Sequence, residues 1–259
     1  MRKPRILITN DDGVFAPGIR HLWNAVNEMA DVTVVAPAFE QSATSLSITV
    51  RSPLSIAKAD WYSPKGPVWS VSGTPSDCVK LALTVILPEQ PDLIISGVNR
   101  GNNAGRNVLY SGTVAAVIEG IMHNIPGIAF SLDGEEHSNY DGTEKHIQQI
   151  IRYILQHPLP SGTFLNVNFP QHSVDGIKGI RMARQGKEFW VENPECRSHP
   201  KGHSYYWLGI KLAKFQEHED SDISLLEKGF ATAVPIHVGE LTDIVHVNNH
   251  RKIFEEFVN

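Results

Sequence analysis

The chain has only two cysteines among its 259 residues, Cys78 and Cys196, too few and too far apart for a disulfide framework or a thiolate zinc site. It has no excess of positive charge: 23 Lys and Arg stand against 28 Asp and Glu, a formal net charge of -5. Nucleic-acid duplexes and single strands demand a basic footprint, so no stable nucleic-acid complex is expected, whereas a single nucleotide is a fitting ligand. Long apolar runs are missing as well. No stretch reaches the length of a bilayer span, and the apolar run in "MRKPRILITNDDG" is too short for a signal-peptide core, so a cytoplasmic location away from membranes is expected. Two phosphate-binding signatures are absent too. The turn after the first apolar run reads "DDGVFAPG" rather than G-x-G-x-x-G, and no Walker A sequence occurs, which disfavours an NAD enzyme or a P-loop NTPase and predicts no organic cofactor.

What is present is a globular composition, 41% apolar and 20% charged, without low-complexity tracts or internal repeats. From Arg5 to about Pro126 apolar β-type runs alternate with helical patterns, the rhythm of parallel strands joined by crossover helices. "RILIT" and "DVTVVAP" read as buried strands. Pro17 stands where a helix starts, and His21 to Ala30 carries Leu22, Ala25, Val26 and Met29 at helical spacing. In "GTPSDCVKLALTVIL", Thr74 is an N-cap, Pro75 the first helical residue and Asp77 a dipole-matched acid in the first turn. "PDLIISGVN" and "GIAFSL" read as further strands, "YSGTVAAVIEGIMHN" as the helix between them and "TEKHIQQIIRYILQH" as a surface helix. After about Pro170 the runs "GIRMAR", "EFWVE" and "SYYWLGI" lack intervening helices and read as antiparallel ribbon. A helix and a strand follow in "SDISLLEKGFATAVPIHVG", and "RKIFEEFV" closes the chain as a short helix. The expected fold is α/β, a doubly wound, mostly parallel sheet over residues 1–170, with a β-rich extension over 171–259 behind a soft boundary.

The chemistry gathers at the strand ends. Asp11 and Asp12 follow the first strand, where the ligand crevice of an open parallel sheet lies. Adjacent carboxylates repel, so a site that keeps both ionised supplies a cation or opens them to water. Taken alone, "NDDG" reads first as a water-facing cap of the next helix. The other strand ends change the balance: "AFEQSATSLSIT" offers Ser42, Ser45 and Ser47, and "GVNRGNNAG" offers Asn99, Asn102 and Asn103. Such oxygen donors suit one hard divalent cation, magnesium or manganese. "LYSGTVAAV" places Ser111, Gly112 and Thr113 at a helix start, where free N–H groups and the dipole receive a phosphate, or where Ser111 simply caps the helix.

These segments, "ILITNDDGVFAPGI", "VAPAFEQSATSLSIT", "VSGTPSDCVKLAL", "PDLIISGVNRGNNAG" and "YSGTVAAVIEG", resemble in order and spacing the SurE family of survival-protein nucleotidases. The resemblance implies a Rossmann-like core and a metal-dependent phosphatase acting on nucleoside monophosphates, at the 5′ or 3′ position, with short polyphosphate as a further candidate. It implies a homodimer or homotetramer joined partly by exchange of carboxyl-terminal strands. Carried over by motif, Asp11, Asp12, Ser42 and Asn99 match the family's metal ligands, and Asn103, Ser111, Gly112 and Thr113 its phosphate side. Ala43 and Ala115 stand where family members often have glycine.

On this reading a water activated by the cation attacks the phosphate, with one aspartate, here Asp11, taking its proton. An aspartyl-phosphate route is the rival, disfavoured because Asp12 is followed directly by Gly13 and no D-x-D occurs. A non-catalytic nucleotide sensor using the same edge is the alternative class, and a glycosyltransferase is disfavoured by the β-rich tail. Phe189, Trp190, Tyr205, Tyr206 and Trp207 read as core or interface. His199 with His203 read as loop histidines rather than ligands, His246 with His250 call for the same caution as ligands, and Cys78 reads as core.

Overall fold

Alternation sets the first strand: in β1 (Arg5–Thr9), Ile6 and Ile8 pack on one face of the sheet and Leu7 on the other. The computed structural model describes residues 2–61, 66–134, 139–171 and 176–259. After β1 come α1 (Pro17–Val26), β2 (Asp31–Pro37), β3 (Ile56–Lys58), β4 (Val68–Val71), α2 (Pro75–Leu81), β5 (Leu93–Arg100) and α3 (Gly112–Met122). Then follow β6 (Gly127–Leu132), α4 (Glu144–Gln156), β7 (Thr163–Phe169), β8 (Ile180–Met182), β9 (Phe189–Glu192), β10 (Glu195–Ser198) and β11 (Ser204–Trp207). The chain ends with β12 (Ile210–Ala213), α5 (Asp222–Glu227), β13 (Ala231–His237) and α6 (Ile244–Val258).

One nine-stranded sheet runs in the order β3-β4-β2-β1-β5-β6-β7-β13-β8. The strands from β4 to β7 are all parallel, and β3 and β13 run against their neighbours β4 and β7. The expected doubly wound α/β architecture is present. The chain leaves β1 toward β2 and returns on its other side as β5, so the switch point lies between β1 and β5. Ile19, Leu22 and Trp23 of α1 and Ile147, Ile151 and Ile154 of α4 cover one face. Cys78 and Val79 of α2 and Val114 and Val117 of α3 cover the other.

Several elements differ from the sequence reading. Helix α1 stops at Val26, leaving Met29 and Ala30 in a turn, because Asp31 must sit beside Arg5 to begin β2. The run after Leu81 continues as a π-type segment, Ala82–Ile86. "GIRMAR" is not ribbon: β8 joins the main sheet as its edge strand, parallel to β13. The ribbons that do form are antiparallel, β9 with β12 and β10 with β11. Strand β7 escaped the reading because Asn166 and Asn168 interrupt its apolar pattern, although all seven of its residues are buried. The closing helix α6 is fifteen residues long and buries none of them. Among the described residues no helix is long and apolar enough to cross a membrane.

Candidate functional site

The site begins where β1 runs out. Asn10 turns the chain by donating from Nδ2 to the Gly13 carbonyl at 2.9 Å, and Gly13 takes φ +100°, a left-handed conformation natural to glycine. Val14 N–H then reaches Pro37 O at 2.8 Å and Gln41 N–H reaches Asp11 O at 2.7 Å. The loops after β1 and β2 are thus zipped together at the carboxyl edge of the sheet.

Asp11 is 5% exposed and its Oδ1 accepts from the Thr113 hydroxyl at the start of α3. The helix end comes so close that a Cβ on Gly112 would stand 2.8 Å from Asp11 Cβ. Burial pushes the Asp11 carboxyl above its ordinary range, against the pull of hydrogen bonds from Thr113 and from its own backbone. Asp12 accepts from Arg100 N–H at 3.3 Å, which ties it to the end of β5. Its carboxyl is pushed up to about 7, first by burial and next by the negative charge of Asp11. Glu40 adds a third negative field that acts on both aspartates. The crevice is therefore short of positive charge.

Of the other residues singled out by sequence, Ser111 caps α3, with its side chain accepting from Val114 N–H at 3.2 Å. Gly112 and Thr113 form the first turn against Asp11. Asn99 lies at the end of β5, past a bulge where the register with β6 shifts between Ser96 and Asn99. Its Nδ2 donates to Gly101 O at 2.8 Å and to Arg100 O at 3.2 Å, so the donor end of the amide is engaged and Oδ1 is the end left to face a cation. Ser42 is on the loop tied to Asp11, one residue past Gln41, and its hydroxyl donates to Glu40 Oε1 at 2.6 Å. Asn103 is buried: its Nδ2 donates to Ser131 Oγ at 2.8 Å, its N–H to Asn168 Oδ1 at 2.7 Å, and its carbonyl accepts from Asn166 at 2.9 Å. The structure thus gathers Asp11, Asp12, Gly112 and Thr113 directly, holds Ser42 on the adjoining loop and Asn99 at the end of β5, and turns the Asn103 amide nitrogen into the sheet.

Sequence reasoning missed Glu40, Arg100, the Asn166–Asn168 pair and Tyr140. Tyr140 has its hydroxyl pushed up to about 12, by burial and then by the charge of Asp12. Polar residues alternating through "NVNF" were the available signal for the asparagine pair, and the acid in "FEQS" for Glu40. Nothing in the local pattern marks Tyr140, which reaches the site from a loop far along the chain. Among the described residues no three His, Cys, Asp or Glu side chains are grouped to hold a metal. A cation here needs the mixed set of two carboxylates completed by hydroxyl and amide oxygens. The burial of two like charges side by side fits that requirement, since a cation relieves both their repulsion and their desolvation.

Together these features define the chain as a doubly wound α/β protein with an acidic, oxygen-lined crevice beside a helix N-terminus at its switch point. Residues 6–192 match the family described as "Survival protein SurE", and the chain belongs to the SurE family. It is 59% identical over 258 residues to the 5'-nucleotidase SurE of Protochlamydia amoebophila (strain UWE25), covering 99% of both chains. It is 43% identical over 237 residues to the 5'-nucleotidase SurE of Flavobacterium psychrophilum, covering 91% of this chain and 92% of that one. The crystal structure of the SurE protein from Aquifex aeolicus superposes with a TM-score of 0.83 at 36% identity, over 97% of this chain and 100% of the other.

Proposed function

We propose that the chain is a divalent-metal-dependent phosphatase that hydrolyses nucleoside monophosphates to nucleoside and phosphate, as the names of its 5'-nucleotidase relatives suggest. The observation that carries this reading is the pair of buried aspartates against the first turn of α3, two charges that call for a cation next to donors that suit an anion. Asp11, Asp12, Ser42 and Asn99 would hold the ion, magnesium or manganese by the hardness of their oxygens. When bound, it supplies Lewis-acid neutralisation of the phosphate and acidifies a water. The chain's own residues do the rest. Thr113 fixes the rotamer of Asp11 by donating to Oδ1. The Thr113 N–H bonds the Asp11 carboxylate and the Val114 N–H the Ser111 hydroxyl, so the Gly112 N–H at the start of α3 is the donor that orients the phosphate. One of the two aspartates accepts the proton of the attacking water. Asn103, bound inward, serves by holding the loop that follows β5.

Phosphate release from a panel of nucleoside monophosphates, by wild type and Asp11→Asn in EDTA and then with added magnesium or manganese, tests the reading. Release restored by metal in wild type and absent from the variant is expected. Nucleotide binding without release under any ion overturns it in favour of a sensor. We further assign residues 171–259 to oligomerisation, as dimer or tetramer, because Trp190, Tyr206, Trp207 and the apolar side chains of α6 are exposed.

A further inference from the structure

We propose that Thr74 and Asp77, the cap of α2, are positioning residues for Ser42: they tie down the loop between β2 and β3 through bonds that leave the helix. The two residues first close a capping box, with Asp77 N–H donating to Thr74 Oγ1 at 3.2 Å and Thr74 N–H to Asp77 Oδ2 at 3.0 Å. Each then acts a second time. The Thr74 hydroxyl donates to Ser47 O at 2.7 Å, and Asp77 Oδ1 accepts from Thr49 N–H at 3.0 Å. Thr74 is 9% and Asp77 3% exposed, so the α2 side of each bond is buried, while Ser47 and Thr49 on the strap side reach the surface. Burial pushes the Asp77 carboxyl up, but the donors Thr49 and Thr74 outweigh it and hold the group below its ordinary range.

Residues 41–49 are therefore a strap tied at both ends. At one end Gln41 N–H holds Asp11 O at 2.7 Å, and at the other Ser47 and Thr49 hold the cap of α2. Midway, Ser45 Oγ donates to Leu109 O at 2.8 Å, next to the first turn of α3. Between the ties Ala43 and Ser45 take φ +57° and +51°, left-handed values that a free loop of L-residues avoids. The Ser42 hydroxyl bonds only one turn away, to Glu40, so its place relative to Asp11 is set by where the strap is fastened. The bearing on catalysis rests on the phosphatase reading, whereas the fastening itself does not.

The discriminating variant is Thr74→Asp. A carboxylate is a good N-cap acceptor and keeps α2 started, but it has no proton to give Ser47. Thr74→Ser keeps both bonds, and Thr74→Val removes the tie to Ser47 without added charge but also loses the cap of α2. Hydrogen exchange of the metal-free, full-length protein should quicken about tenfold over residues 41–49 in Thr74→Asp and Thr74→Val, the order expected for one lost hydrogen bond. Thr74→Ser should match wild type. The manganese concentration giving half-maximal phosphate release should rise about tenfold in the same two variants, with kcat at saturating ion within about twofold of wild type. Quickened exchange confined to residues 75–81, or an unchanged manganese requirement with a loosened strap, overturns the proposal. If wild type releases no phosphate with any ion, the phosphatase reading fails, and the exchange data still decide whether the strap is tied.

Discussion

Asp12 carries a consequence for pH. Its folded carboxyl lies at about 7, above the 3.8 of an ordinary aspartate, so folding favours its protonated form. The stability this contributes is full below the unfolded value and is lost as pH rises through the folded one. Thermal melts in EDTA should therefore fall between about pH 4 and pH 7, and Asp12→Asn should flatten that slope and gain on the order of 2 kcal/mol at pH 8. Manganese should raise the wild-type melting temperature at pH 8 and leave the variant nearly unmoved. Ala43, held in a left-handed conformation, predicts a gain from relief of backbone strain. Ala43→Gly should add about 0.5–1 kcal/mol in urea unfolding, strain relief exceeding the extra freedom of the unfolded chain. At Gly112 a methyl group would press on Asp11 at 2.8 Å, and Gly112→Ala should cut phosphate release by roughly a hundredfold while the far-ultraviolet spectrum stays native.

At the scale of elements, the helices differ in how they begin. Helices α2 and α3 start on Thr74 and Ser111, whose side chains accept first-turn N–H groups. Helix α1 begins on Ala16, with extended backbone and no side-chain cap, and relies on Pro17 and on six buried residues. Ala16→Ser should supply the missing acceptor and raise stability by about 1 kcal/mol, read as a shift of the urea midpoint with unchanged slope. Strand β7 explains how a polar stripe survives in the core. Asn166 and Asn168 meet the backbone of Asn103, so the strand buries amides in order to hold a loop.

The described residues form one nine-stranded sheet, two short antiparallel ribbons and an exposed closing helix. Helix α6 shows Ile253, Phe254 and Phe257 to solvent, and its His246 and His250 rings stack at 4.4 Å beside them, lining an open hollow of about 530 Å³. Apolar side chains in that number cost solubility in a lone chain, which supports the assignment of this region to a second copy. The double variant Phe254→Asp, Phe257→Asp should sediment as a monomer, and wild type as the proposed dimer or tetramer. Its melting temperature should drop only by the lost association, since no residue of α6 is buried in the chain's own core.

The alternating pattern of the first half, the proline and threonine starts of helices, and the paired acids after "RILIT" were legible because each depends on near neighbours: pleat, capping and dipole act within a few residues. The doubly wound class followed from that rhythm, and the family from five motifs in order. Tertiary structure decided what lies across gaps in sequence. Only the folded sheet shows that Thr113 seizes Asp11, that Arg100 meets Asp12, and that Tyr140 and Glu40 share their field. It also decides that Asn103 faces inward, that β8 joins the main sheet, and that His199 and His203 stack across a turn at 4.3 Å. Local propensity has no term for such contacts, because strand order and loop closure bring together groups whose separation along the chain gives no sign of their distance in space.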